Sequence, residues 1–213
     1  MIEMILMSSF LISINPGGIS CDSDSDCYYV PPQVTTANET VAGLILLHCN
    51  GATATDLDTF RLIGDSLGWI LATCHASRNH RDSYLNDEDI IKTISKLLKS
   101  YPVDANRIFL FGFSGQGVQA LTTMLLHPEL VRGVITVCAP QTAMNLAIPE
   151  LLNDHFIYLI SRSQDWNLMA NYQMYLQFES WGVACTLVVT PGEHSAGSWK
   201  ELLLGSQWLS RHK

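Results

Sequence analysis

The feature that most restricts this chain is a series of apolar runs without period-two alternation. Val41–Cys49 reads VAGLILLHC, Trp69–Cys74 reads WILATC and Arg107–Phe113 reads RIFLFGF. Val131–Pro140 (VRGVITVCAP), His155–Ser163 (HFIYLISRS) and Ala184–Pro191 (ACTLVVTP) follow the same pattern. A strand with one wet face alternates apolar and polar residues; a strand covered on both faces does not. The stretches between the runs have helical spacing. In Asp87–Tyr101, Ile90, Ile91, Ile94, Leu97 and Leu98 share a face, with acids at the N-terminal end and lysines later, as the helix dipole favours. Asp56–Leu67 places Phe60, Ile63 and Leu67 on one side, Gly117–Pro128 stops at a proline, Asp165–Gly182 ends in glycine, and Ser198–Lys213 closes the chain. Buried strands joined by helices predict an α/β fold, a mostly parallel sheet with helices on both faces. Cys27–Pro32 (CYYVPP) adds an edge strand ended by Pro31 and Pro32.

With 213 residues, 47% of them hydrophobic, the chain suffices for one domain with one core. That domain is placed at 21–213, with no room between its elements for a second domain or a large lid. Residues 1–20 read either as a signal peptide or as a first strand. Small residues at Gly18 and Ser20 suit a cleavage site, whereas Glu3 and the lack of an early Lys or Arg argue against one. Export and a cytoplasmic location both stay open. The apolar run is too short and interrupted to span a membrane. Asn38-Glu39-Thr40 is a glycosylation sequon that matters only if the chain is secreted.

A net charge of -8 with no Lys/Arg cluster argues against a nucleic-acid surface. None of the six cysteines forms a C-x-x-C pair, which removes the common zinc and redox motifs. Cys49, Cys74, Cys138 and Cys185 lie in or beside apolar runs and read as buried thiols acting as small hydrophobes. Cys21 and Cys27 flank the acidic DSDSD and could close a small loop in an oxidising compartment.

Open parallel sheets work at the carboxyl ends of their strands. The most informative end is Arg107–Leu121, RIFLFGFSGQGVQAL. Gly115-Gln116-Gly117-Val118-Gln119-Ala120 fits the dinucleotide-binding turn G-x-G-x-x-G/A. That reading needs an acid ending the next strand to hold a ribose, and this one ends in Cys138-Ala139-Pro140. Gly112-Phe113-Ser114-Gly115 instead begins the nucleophile elbow G-x-S-x-G, with Gln116 where its second glycine belongs. An elbow needs a serine on a sharp strand-to-helix turn, then an acid and a histidine at later strand ends, and an early loop that donates a backbone N–H. Ser114, Asp165, His194 and the loop His48-Cys49-Asn50-Gly51 answer in that order.

These segments resemble the α/β-hydrolase family, and in particular its compact serine esterases related to polyhydroxyalkanoate depolymerases, feruloyl esterases and dienelactone hydrolases. YYVPP before LILLHCNGA is similar to their Y-x-V-P … L-H-G opening, and YPVDANRIFLFGFSGQG to their D-x-x-R-I-x-x-x-G-F-S-x-G-G segment. The resemblance runs from about residue 27 to the C-terminus. It implies hydrolysis of a carboxylic ester through an acyl-enzyme, with a Ser114–Asp165–His194 triad and an oxyanion hole of the Asn50 and Gly115 N–H groups. It implies a small-molecule or polymer ester as substrate and neither metal nor organic cofactor; the oligomeric state is not given. Two positions depart from the pattern. Cys49 replaces a glycine, and Gln116 either points into the site toward substrate or splays the helix. Trp166 either walls the substrate pocket or packs in the core, and Asp154 is the reserve acid. His48 reads as structural, and His75 and His80 either touch substrate or sit in a solvated loop. A non-catalytic binding protein on the same fold is the alternative, with a dinucleotide-binding protein behind it.

Overall fold

The computed structural model describes residues 16–34, 39–142 and 144–212. Among them, eight strands make one sheet: β1 (Ile19–Cys21), β2 (Cys27–Tyr29), β3 (Val41–Leu47), β4 (Ile70–Thr73), β5 (Val103–Phe113), β6 (Gly133–Val137), β7 (Phe156–Arg162) and β8 (Ala184–Thr190). Their order is β1-β2-β4-β3-β5-β6-β7-β8. β2 is antiparallel to both neighbours, and β3 to β8 run parallel. The helices are α1 (Ala54–Leu67), α2 (Ser83–Ser100), α3 (Gly115–Leu126), α4 (Leu168–Ser180) and α5 (Trp199–Arg211). None of them is long and apolar enough to cross a membrane.

The missing alternation has its expected cause, since successive strand residues serve two cores. Ile45, Leu47, Ile108, Leu110, Val134, Ile157 and Leu159 pack with residues of α2, α3 and α4. Leu44, Leu46, Phe109, Phe111, Ile135, Tyr158 and Ile160 pack with residues of α1 and α5. Burying each such side chain contributes about 1.5–3 kcal/mol, so both helical layers are held by the same strands. Register carries this through the sheet: Leu110 of β5 stands between Ile45 of β3 and Val134 of β6.

One expectation is corrected. The CYYVPP strand is not an edge, because β1 covers it, with Cys21 opposite Cys27 in register and joined to it by a disulfide. Of residues 1–20, positions 1–15 lie outside the described residues, as does Asn38 of the sequon; Ile19 and Ser20 belong to β1. The acidic loop after β1 is anchored on α2. Lys96 Nζ lies 2.7 Å from Asp22 and 2.8 Å from Asp24. Buried Asp26 accepts from the Thr93 hydroxyl at 2.8 Å and from the His75 N–H at 2.9 Å. That last bond ties the N-terminal hairpin to the loop after β4, beside the site.

Candidate active site

Strand β5 and helix α3 meet at Ser114, whose backbone sits at φ 53° and ψ -123°. A positive φ is strained for serine and costs about 1–3 kcal/mol, held by its surroundings. Here the Ser114 N–H donates to the Val137 carbonyl at 2.8 Å, and the Ser114 carbonyl accepts from Gly117 at 2.9 Å. Helix and strand come so close that a Cβ on Gly112 would lie 2.2 Å from the Gln116 carbonyl oxygen. A Cβ on Gly115 would lie 2.6 Å from Asn79 Oδ1. Glycine is thus required at 112, where the contact is with backbone, whereas a side chain at 115 would have to displace the Asn79 amide.

The loop after β8 carries His194. Its Nε2 lies 3.0 Å from Ser114 Oγ, and its Nδ1 lies 3.1 Å from Asp165 Oδ2 and 3.2 Å from Oδ1. With the Nδ1 proton donated to the carboxylate, Nε2 is left to accept the serine hydroxyl proton. The imidazole is held between Phe113, 5.0 Å away, and Trp166, 5.4 Å away and nearly parallel. Asp165 follows β7, and its side chain is buried. Burial pushes its carboxyl up, but the Cys138 thiol, the Asn167 N–H and His194 outweigh that and hold it below the usual carboxylate range. Asp165 also accepts from the Asn167 N–H at 2.8 Å, and Asn167 in turn donates to the Cys138 carbonyl at 2.9 Å.

The histidine loop hangs on Arg162, the last residue of β7, which is 5% exposed. Its guanidinium meets both oxygens of Glu201 at 2.6 and 3.2 Å, and donates to the Ser195 hydroxyl at 3.2 Å and the Ala196 carbonyl at 3.1 Å. Glu201 also closes a capping box with Ser198 at the start of α5. One ion pair therefore fixes a strand end, a helix start and the loop between them.

On the other side of Ser114 lies the loop after β3. Gly115 is the first residue of α3, where N–H groups have no partner within the helix. The Asn50 N–H rests 3.3 Å from His48 Nδ1, a long bond. The loop is fastened to the next one by the Asn79 N–H on the Cys49 carbonyl at 2.9 Å and by His75 Nδ1, 3.1 Å from the Ala52 carbonyl. Cys49 Sγ lies 3.4 Å from the Phe113 carbonyl. Beside Phe113 opens a cleft of about 220 Å³, lined by Leu47, His48, Phe60, Phe111 and Gly197 among others. A larger cavity of about 500 Å³, with Trp69, Phe109, Arg107 and Arg132, lies at the amino ends of the strands, away from Ser114. The smaller one adjoins Ser114 and His194 through the nearby chain positions Phe113 and Ala196, although neither reactive side chain lines it.

Solved structures share this architecture. The S-formylglutathione hydrolase FrmB of Staphylococcus aureus matches with a TM-score of 0.66 at 13% identity, over 88% of this chain and 89% of that one. FphF, a fluorophosphonate-binding serine hydrolase of the same organism, matches at 0.69 and 14%, over 92% and 99%. The chain has the α/β-hydrolase fold. A ferulic acid esterase also matches, at 0.65 and 15% identity, over 92% of this chain and 97% of that one. No family model matches the chain, and no curated protein matches it by sequence.

Ser114, Asp165 and His194 come together; Gly115 follows the serine in the chain, and Asn50 sits in the loop after β3 with its N–H on His48 Nδ1. Trp166 is 73% exposed and stacked on His194, so it does not pack in the core. Gln116 is a correction: it neither faces substrate nor splays the helix. It is 1% exposed, its carbonyl accepts from Ser77 Oγ at 2.8 Å, and its amide donates to Asn79 Oδ1 at 3.4 Å. Asp154 precedes β7 at the opposite end from His194, with an exposed side chain 4.0 Å from Arg132. His48, His75 and His80 are not brought to Ser114 Oγ; the first two make the loop bonds given above. Arg162, Asn79 and Cys138 are the participants that motif reading missed. Each is the last residue of a strand, next to one, or in the loop beyond, without a spacing to mark it. Among the described residues, one group could hold a metal: Cys138, Asp165 and His194, whose ligand atoms lie within 4.8 Å of one another.

Proposed function

We propose that this protein is a serine esterase that cleaves a carboxylic ester through an acyl-enzyme. The observation that carries the reading is the hydrogen-bonded series Ser114–His194–Asp165 built on a positive-φ elbow. Ser114 Oγ attacks the ester carbonyl while His194 Nε2 takes its proton. The same nitrogen then protonates the departing alkoxide, and a water activated by it releases the acid. Buried Asp165 holds the Nδ1 proton and stabilises the imidazolium that forms. The Gly115 and Asn50 N–H groups receive the oxyanion, an effect of about 3 kcal/mol per donor. A charged acceptor makes the stronger bond, so the oxyanion displaces His48 from the Asn50 N–H. The apolar cleft beside Phe113 takes a compact part of the ester, and exposed Trp166 faces the rest.

No observation favours the dinucleotide reading. The Asn79 amide already packs against Gly115, where a pyrophosphate would have to approach. The binding-protein reading rested on Gln116, which lies buried outside the reactive line. The test is fluorophosphonate labelling and p-nitrophenyl acetate turnover by wild type and Ser114→Ala. Both signals in the wild type, absent from the variant, are expected. A folded wild type that neither labels nor turns over would refute the proposal.

A further inference from the structure

We infer that the buried side of the Ser114–His194–Asp165 series is a zinc site, and that zinc held there switches the hydrolase off. The ligands are Cys138 Sγ, an Asp165 carboxylate oxygen and His194 Nδ1, all within 4.8 Å of one another. Thiolate, carboxylate and imidazole are the donors Zn²⁺ takes, in a tetrahedron with bonds of about 2.0–2.3 Å. Edges of such a tetrahedron are about 3.3–3.7 Å, so the most separated pair must close by no more than about 1.5 Å. The Ser195 carbonyl, 3.6 Å from Cys138 Sγ, can complete the set. The three ligands come from three strand ends and are already oriented by neighbours. Asn167 holds Asp165 through its N–H, and Phe113 and Trp166 hold the imidazole ring.

Charge and protons balance. Asp165 is already ionised. The Cys138 thiol releases one proton to solvent as Zn–S forms, so the dication meets two negative ligands and the buried site becomes neutral. On His194 no proton is lost. The Nδ1 proton gives way to the metal and the ring carries its proton on Nε2 instead. In that tautomer Nε2 donates toward Ser114 Oγ and cannot accept its proton, so the base is gone without any change at the serine. The inhibitory half rests on the esterase reading; the binding half does not.

The experiment is a titration of protein with the Cys21–Cys27 disulfide intact and the other four cysteines as free thiols, with Zn²⁺ against a fluorescent chelator, for wild type, Ser114→Ala and Cys138→Ser, with Co²⁺ absorption alongside. Wild type and Ser114→Ala should bind one ion with equal affinity and show a cobalt–thiolate charge-transfer band. Cys138→Ser should lose the band and bind at least about 10-fold more weakly, since even an outer-shell partner is worth that much. In the active wild type, zinc should abolish turnover and EDTA restore it. Failure of wild type to bind one equivalent would overturn the inference. So would Cys138→Ser binding like wild type, which would put the ion at surface carboxylates such as exposed Asp24 and half-buried Asp22. One bound zinc with full turnover would overturn the switch. If Cys138→Ser does not fold, Cys49→Ser decides: a surviving thiolate band supports the site, and its loss places the ion at Cys49.

Discussion

Replacing Arg162 should damage stability and turnover together. The guanidinium is almost fully buried and meets Glu201 with two bonds while holding the Ser195 hydroxyl and the Ala196 carbonyl. Removing one partner of a buried pair costs about 3–5 kcal/mol, because the other is left uncompensated. Glu201 is not wholly abandoned: its side chain is 21% exposed, and it keeps the Ser198 N–H at 2.8 Å and hydroxyl at 2.9 Å. The low end, about 3 kcal/mol, is therefore expected for Arg162→Met, which preserves the aliphatic volume. For a chain of this size that lowers Tm by roughly 6–12 °C. Two of the lost bonds position residues one and two places after His194, so the imidazole should drift from Ser114 and kcat should fall about 100-fold. Arg162→Lys keeps the charge but not the planar fork, and should fall between. Thermal melts by circular dichroism and p-nitrophenyl acetate kinetics below the melting range read both quantities. A variant that melts within about 2 °C of wild type would refute the energetic argument. One that is destabilised but turns over normally would show that the histidine loop is held by something else.

Three further outcomes are expected. Gln116→Ala strips Ser77 and Asn79 of a buried partner and leaves a void, so urea denaturation should show a loss of about 2–4 kcal/mol; an unchanged midpoint would mean Gln116 is replaceable by water. Asp165 has a depressed folded-state pKa, so its contribution to stability is complete above its unfolded value near pH 4 and fades as pH falls through the lower folded value. The Tm gap between wild type and Asp165→Asn should therefore be widest at neutral pH and shrink in acid, and a gap that grows in acid would contradict the assigned direction. Trp166→Ala removes an exposed ring from the face of His194; Tm should move little while KM rises, and a large drop in Tm with unchanged KM would make Trp166 structural.

Fold and site were legible in the sequence to different degrees, for one physical reason. Strands covered on both faces and amphipathic helices leave a periodic trace, so the parallel sheet could be read from runs such as VAGLILLHC and RIFLFGF. The short β1 has no such trace, and CYYVPP was therefore placed at an edge it does not occupy. Ser114 was legible because an elbow imposes small residues at fixed spacing. Asp165 and His194 were legible only through strand order, since a parallel sheet delivers its strand ends to one side. What order cannot convey is which side chain fills the space between those ends. Gln116 shows the limit most clearly. The pattern expects glycine there because helix and strand crowd together, and that crowding is present at Gly112. The long side chain is tolerated because it leaves the crowded face and runs to Ser77 and Asn79 in the loop after β4. A departure that looked like a defect in the elbow is thus a brace between it and the neighbouring loop. The same Asn79 fastens that loop, through its N–H, to the Cys49 carbonyl beside Asn50. Gln116 thereby connects the helix behind the serine to the loop of Asn50, the second donor of the proposed oxyanion hole. A glycine at 116 would satisfy the motif and cut that connection.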